Sequence, residues 1–207
     1  MLTETPAPPS GRRRSRDELR RATLDAARRL IAEDGPEALT ARKLAAAVGY
    51  TPGTIYNLFE SLPDVLWHVN RENFTRIAAL FDDLPQAGAD VRLRALAARY
   101  LDLVDQEPAL FRALFEGARV SESFPQWYTD AINGLLGRIA AELSALAPQM
   151  DAAQARHDAS ALFGALQGIA ALHGSRRLEL ISDMPAADLA DRLIARVLRD
   201  IAAGNAG

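Results

Sequence analysis

Apolar residues recur at steps of three and four from residue 15 onward, which is the period of an α-helix. No segment alternates apolar and polar residues as a half-buried strand would. The pattern predicts an all-α chain of about nine helices. The first starts at Ser15, where Ser15 and Glu18 form a capping box, and Leu19, Leu24, Ala27, Leu30 and Ile31 make its apolar stripe. Asp34-Gly35-Pro36 should end it, with Gly35 free to turn left-handed and Pro36 unable to continue. A short helix from Thr40 to Val48 follows, then a second from Thr51 to about Leu58, then a longer one from Ser61 to about Asp83. Helices near 88–106, 108–117, 125–146, 150–180 and 186–202 complete the pattern, with prolines at starts or junctions.

The two short helices carry the most information. Leu44 and Val48 share one helix face, and Ile55 and Leu58 share another. Ala45 is small where the helices would cross, Gly49 supplies a positive φ, and Tyr50 fills the corner. These are the packing needs of a helix-turn-helix, although an ordinary corner between two helices would ask for the same residues. The second helix would then expose Thr51, Gly53, Thr54, Tyr56 and Asn57. Thr can contact a phosphate or a thymine methyl, Tyr a phosphate and Asn an adenine edge, and a helix N-terminus attracts phosphate.

Charge points the same way. The 207 residues carry a formal net charge of -3, unevenly spread. Residues 10–30 hold eight arginines against three acids, whereas residues 61–207 hold 14 arginines against 19 acids. A basic head on an acidic body fits a polyanion at one end, although a solvated arginine-rich helix has the same composition. The candidate DNA-contacting set is therefore Arg12, Arg13, Arg14 and Arg16 in the basic segment, Thr40, Arg42 and Lys43 at the start of the second helix, and Thr51, Pro52, Gly53, Thr54, Tyr56 and Asn57 in the third. Residues 1–14, Pro-rich and then basic, should be a disordered arm.

Hydrophobic residues make up 49% and charged residues 25%, an ordinary soluble balance. There is no cysteine, which excludes disulfides, a thiol nucleophile and cysteine metal sites. No apolar run approaches the roughly 20 residues of a membrane helix, and no secretory signal is recognisable, so a cytoplasmic protein is expected. His68, His157 and His173 have no metal-ligand spacing, and no catalytic or nucleotide-binding motif occurs. Neither an enzyme, a cofactor nor a metal is expected.

Residues from about 15 to 70, including "LDAARRLIAEDGPEALTARKLAAAVGYTPGTIYNLFESLPDVL", resemble the N-terminal domain of the TetR family of bacterial transcriptional regulators. Gly53, Tyr56 and Phe59, at three-residue steps, match its most recognisable pattern. One position departs: many members carry a lysine before the acidic start of the fourth helix, where this chain has Leu62. Leu62 is expected to pack inward or against a partner, with the basic arm compensating.

The resemblance implies a DNA-binding head over residues 15–60 and a ligand-binding and dimerisation body over residues 61–207. It implies a homodimer on a (pseudo)palindromic operator, with repression the commoner mode. The small residues Ala161, Gly164, Gly168 and Ala171 share a face with His157 and Ser175, and would let a helix approach closely, within the chain or from a partner. The resemblance favours the partner, with Leu189, Leu193, Val197 and Ile201 as the stripe of the last helix. It also implies a small-molecule cavity in the body. Candidate walls are Trp67, Phe74, Tyr100, Phe111, Phe115, Trp127, Tyr128 and Phe163, with Arg99, Arg112, Arg119 and His173 as polar anchors. Such walls favour an apolar or aromatic effector. Its binding would shift the helix that starts at Ser61 and so change the spacing of the two heads. The alternative is a DNA-binding protein without an effector, whose body only dimerises or binds protein partners.

Overall fold

The computed structural model describes residues 14–115 and 124–204. Among these the chain forms nine α-helices and no strand: α1 Arg16–Asp34, α2 Ala41–Val48, α3 Pro52–Leu58, α4 Leu62–Ala79, α5 Ala89–Gln106, α6 Pro108–Phe115, α7 Gln126–Leu146, α8 Ala152–Gly174 and α9 Ala186–Gly204. No described helix is long and apolar enough to cross a membrane.

Local chemistry sets most helix starts. Ser15 accepts from the Glu18 amide at 3.2 Å while Glu18 accepts from the Ser15 amide at 2.7 Å, and these bonds hold the Glu18 carboxyl below its usual pKa. Thr40 caps α2 through the Lys43 amide, and Ser61 caps α4 through the Asp64 amide, each at 3.2 Å. Asp64 reaches back to the amide of Glu60 at 3.1 Å. Pro52 and Pro63 sit in first turns, where a missing N–H costs little.

Three helix ends differ from expectation. Gly35 has positive φ (87°) but extended ψ (166°), so it leads into a 3-10 turn at Pro36–Ala38 and forms no left-handed helical cap. The fourth helix stops at Ala79, short of residue 83, because the Arg99 guanidinium donates to the carbonyls of Leu80, Asp82 and Asp83 at 2.8–3.0 Å. The eighth stops at Gly174, short of residue 180. There Arg176 turns left-handed (φ 56°) and the Arg177 amide bonds back to the Leu172 carbonyl at 2.8 Å, closing a Schellman-type end on a non-glycine residue.

Two apolar cores form. The head core joins Leu19, Ala27, Ile31, Leu44, Ile55 and Phe59 with Val65, Leu66 and Val69 from α4, and with Leu110 and Ala113 from α6. The body core joins Phe74 and Ile77 of α4 with Leu96, Tyr100, Leu114, Tyr128, Leu143 and Ile194. α7 packs along α8, α5 and α8 pack on α9, and α6 lies against α1 and α4. The first half of α4 therefore packs in the head and its second half in the body.

Gly49 ends α2 in the left-handed region (φ 80°, ψ 33°), and a Cβ there would meet nothing within 4 Å. The cost of a side chain is thus purely conformational. Gly49→Ala should lower stability by about 1–2 kcal/mol, equivalent to a fall in Tm of roughly 2–8 °C. Calorimetry on the purified protein checks this; no shift would mean the corner relaxes freely.

Candidate nucleic-acid interface

The α2–α3 corner is built from inside. Leu44 and Ile55 are fully buried, with Ala45 and Leu58 beside them. The amides of Gly49 and Tyr50 both bond to the Ala45 carbonyl, at 3.0 and 2.9 Å, which satisfies the end of α2. Tyr50 is half-buried against the head core. With those positions fixed, the remaining face of α3 points outward.

That face carries Thr51, Pro52, Gly53, Tyr56 and Asn57, all exposed, with Thr54 half-buried. Tyr56 is 54% exposed, unusual for so large a ring. Gly53 is equally informative. A Cβ there would touch only the Thr51 hydroxyl, at 3.8 Å. Nothing inside the protein requires glycine at a helical position where it costs up to about 1 kcal/mol relative to Ala. The bare backbone suits a close approach from outside. Thr51 stands at the N-cap position of α3 but gives it no side-chain cap: its hydroxyl pairs with that of Thr54 at 3.1 Å.

The basic candidates are placed unevenly. Arg12 and Arg13 lie outside the described residues, and Arg14 is exposed. Arg16 donates to the Asn57 carbonyl at 3.3 Å, so it braces the end of α3. Arg42 is exposed, and Lys43 is exposed and paired with Asp34 at 2.8 Å. Thr40 spends its hydroxyl on the α2 cap. Sequence reasoning missed Arg20, which donates to the Leu58 carbonyl at 2.5 Å and lies 4.4 Å from the Phe59 ring centroid. The signal available was its four-residue spacing from Arg16, which puts both on one face of α1.

In the body the aromatic candidates separate into two groups. Trp67, Phe74, Trp127 and Tyr128 join Phe124 between α4 and α7. Tyr100, Phe111, Phe115 and Phe163 meet between α5, α6 and α8. Burial pushes the phenols of Tyr100 and Tyr128 above their ordinary pKa, and each hydroxyl finds a partner: Gln167 for Tyr100, and the Leu114 carbonyl at 3.2 Å for Tyr128. Two narrow cavities flank these groups. One, of about 20 Å³, lies among Asn73, Arg76, Glu107 and Phe111; the other, of about 30 Å³, among Phe81, Tyr100, Phe163 and Leu166. A wider open groove of about 610 Å³ runs between α4 and α7 over Phe74, Trp127, Ala131 and Leu135, flanked by Arg71 and Arg138.

Of the polar anchors, Arg99 caps α4, His173 pairs with Asp105 at 2.5 Å, and Arg112 lies beside Gly35. None of these three lines either cavity or the groove. Arg119 lies outside the described residues.

The profile described as "Bacterial regulatory proteins, tetR family" matches residues 24–62, and that described as "Tetracyclin repressor-like, C-terminal domain" matches residues 93–197. The chain belongs to the TetR family. The second match spans half of its length, so membership no longer rests on the head alone. No curated protein matches the sequence. Among solved structures, a protein of unknown function from Rhodococcus sp. RHA1 aligns at a TM-score of 0.72 with 20% identity, over 88% of this chain and 94% of that one. The transcriptional regulator FadR from Bacillus subtilis, in complex with stearoyl-CoA, aligns at 0.65 with 18% identity, over 86% and 97%. AibR, in complex with isovaleryl coenzyme A and operator DNA, aligns at 0.62 with 18% identity, over 86% and 97%. At these identities the likeness is one of fold.

Within this TetR-family chain, Leu62 is half-buried and packs against the head core. Its side chain is apolar where many members would offer a cation, and its packing supplies a local reason. The body's small-residue face also has a definite place: Ala161, Gly164, Gly168 and Ala171 are all exposed, and a Cβ added to either glycine meets nothing. Leu189, Leu193 and Val197 are half-buried beside the body core.

Tyr56 contributes little to the fold and lies on the outer face of α3. Tyr56→Ala should leave thermal stability within about 0.5 kcal/mol of the parent while weakening DNA binding about tenfold. Fluorescence anisotropy with a duplex selected from a random pool by the parent protein reads the second effect; unchanged affinity would remove Tyr56 from the interface.

Proposed function

We propose that the protein is a dimeric transcriptional repressor, acting in the cytoplasm, that reads a (pseudo)palindromic operator with α3. The observation that carries this reading is the outer face of α3, where Gly53 and Tyr56 serve no internal packing need. Residues 15–60 act as the reading head and residues 61–207 as the regulatory body. Thr51, Gly53, Thr54, Tyr56 and Asn57 meet the groove, and Arg14 and Arg42, with Arg12 and Arg13 of the arm, supply the salt-sensitive phosphate term.

Dimerisation through α8 and α9 follows from the exposed small-residue face. Two recognition helices on adjacent half-sites should stand about 34–36 Å apart. Since Gly168 faces open space in the single chain, Gly168→Leu should leave helix content intact and yield a monomer. Gel filtration with light scattering, beside circular dichroism, checks this; a well-folded dimer would mean that another face pairs.

The effector is inferred to be an amphiphile with an apolar chain and an anionic end. Two structural neighbours hold acyl-CoA thioesters. The α4–α7 groove has an apolar floor, with Arg71 and Arg138 against the single acid Asp130 on its rim, which suits such a ligand. The narrowness of both cavities favours a second reading, DNA binding with no small-molecule effector. A thermal-shift series separates the two. Stearoyl-CoA at about 100 times its dissociation constant should add about 2.7 kcal/mol of stability and release the selected duplex. No shift with stearoyl-CoA, isovaleryl-CoA or the free fatty acids would favour the second reading.

A further inference from the structure

The end of α3 is unusual. The helix has seven residues and no glycine after it; Phe59 leaves it in extended conformation (φ -135°, ψ 143°). Its last carbonyls therefore lack the amides that a left-handed cap would supply. Arginines from α1 take that role. Arg16 reaches the Asn57 carbonyl, and Arg20 reaches the Leu58 carbonyl. A cation at a helix C-terminus is favourable twice over, through the hydrogen bond and through the helix dipole.

Arg20 is in turn held by α4. Its second guanidinium nitrogen lies 2.5 Å from His68 Nε2, and its plane lies against Phe59, whose ring meets the His68 ring edge-on at 5.8 Å. A guanidinium can only donate. His68 Nε2 must therefore accept, which requires a neutral imidazole with its proton on Nδ1. The same Nε2 is 3.4 Å from Asp64 Oδ1, which can only attract it when protonated. His68 thus stands between two partners that want opposite charge states.

We infer that Arg20 is a positioning residue for the recognition helix, and that neutral His68 holds it there, so acidification loosens α3 and weakens DNA binding. This rests on the reading of α3 as the DNA-reading helix. The charged groups facing His68 are Arg20 from α1, with Asp64, Arg71 and Glu72 on its own helix. The α3 side presents the Leu58 carbonyl and the Phe59 ring, neither of which titrates. Burial lowers the His68 pKa first, the Arg20 charge lowers it further, and Asp64 opposes both. A histidine lowered on folding binds its proton more readily in the unfolded chain. Its contribution is present above the ordinary value of about 6.5 and is lost as pH falls through that value towards the folded one.

The tests use the full-length protein. Hydrogen exchange across residues 52–59, corrected for intrinsic rates and followed from pH 7.5 down to 4.5, should show a loss of protection on the order of tenfold, reflecting one lost charge-assisted bond. His68→Gln, whose amide oxygen can accept from Arg20 and cannot protonate, should abolish that dependence. Binding of the duplex selected at pH 7.5 should weaken by a similar factor in the parent and hardly at all in His68→Gln. Arg20→Gln should bind weakly at both pH values with an unchanged salt slope. The relay is wrong if His68→Gln keeps the parent's pH dependence in hydrogen exchange. Arg20 is a phosphate ligand and no positioning residue if its variant lowers the salt slope by about one. If no duplex is selected at all, the DNA reading fails, while hydrogen exchange still decides the relay.

Discussion

Everything in this molecule depends on α4 belonging to two hydrophobic cores at once. Val65, Leu66 and Val69 are buried in the head, and Phe74 and Ile77 in the body. Between them, Asn70 and Asn73 donate to the carbonyls of Ala113 and Leu110 on α6, at 3.1 and 3.4 Å. Asn70 is completely buried, and its side-chain oxygen meets no hydrogen-bond donor among the described residues. Ion pairs at the same joint, Arg28 with Glu72 and Arg76 with Glu107, are partly exposed and contribute little each. Apolar burial, with two amide bonds to set the register, holds head to body. α4 cannot move relative to one core without disturbing the other.

Much of this was legible in the sequence because it is local. The capping box at Ser15, the caps at Thr40 and Ser61, and the Gly49 corner are all written within four residues of where they act. The nine-helix pattern and the outward face of α3 follow from periodicity, and the tetR family match agrees with the resemblance read from Gly53, Tyr56 and Phe59. What was not legible joins residues far apart. Arg99 ends α4 from the next helix, and Arg20 caps α3 from 38 positions away. Neither leaves a periodic trace, and an arginine in an exposed stretch reads first as a solvated charge. The end of α8 was hidden for another reason: its left-handed residue is Arg176, which carries no glycine signal, while Gly174, two residues before it, serves the close approach of Val104.

The aromatic residues mark a different limit. Their spacing identifies apolar faces, but a filled core and a hollow one have the same pattern. Here the rings mostly fill space against one another, edge to face, leaving cavities of about 20 and 30 Å³ and an open groove. Whether a body is hollow depends on summed side-chain volume to within a few methyl groups. No periodicity encodes that.

If the protein answers to an effector, the energetics of switching narrow its choice. Reversing a two-state equilibrium from 1:99 to 99:1 takes a differential affinity of about 5.5 kcal/mol. Each buried methylene supplies about 0.8 kcal/mol. An effector acting through apolar burial alone must therefore bury about seven methylenes more in one state than in the other. A short branched acyl group falls below that number, whereas a long chain laid along the α4–α7 groove exceeds it. The flanking arginines add less, because Arg138 already donates to the Ala78 carbonyl and Arg71 already stacks on Trp127. If an acyl chain is the signal, its length should decide the response, and the charged end should mainly fix its direction in the groove.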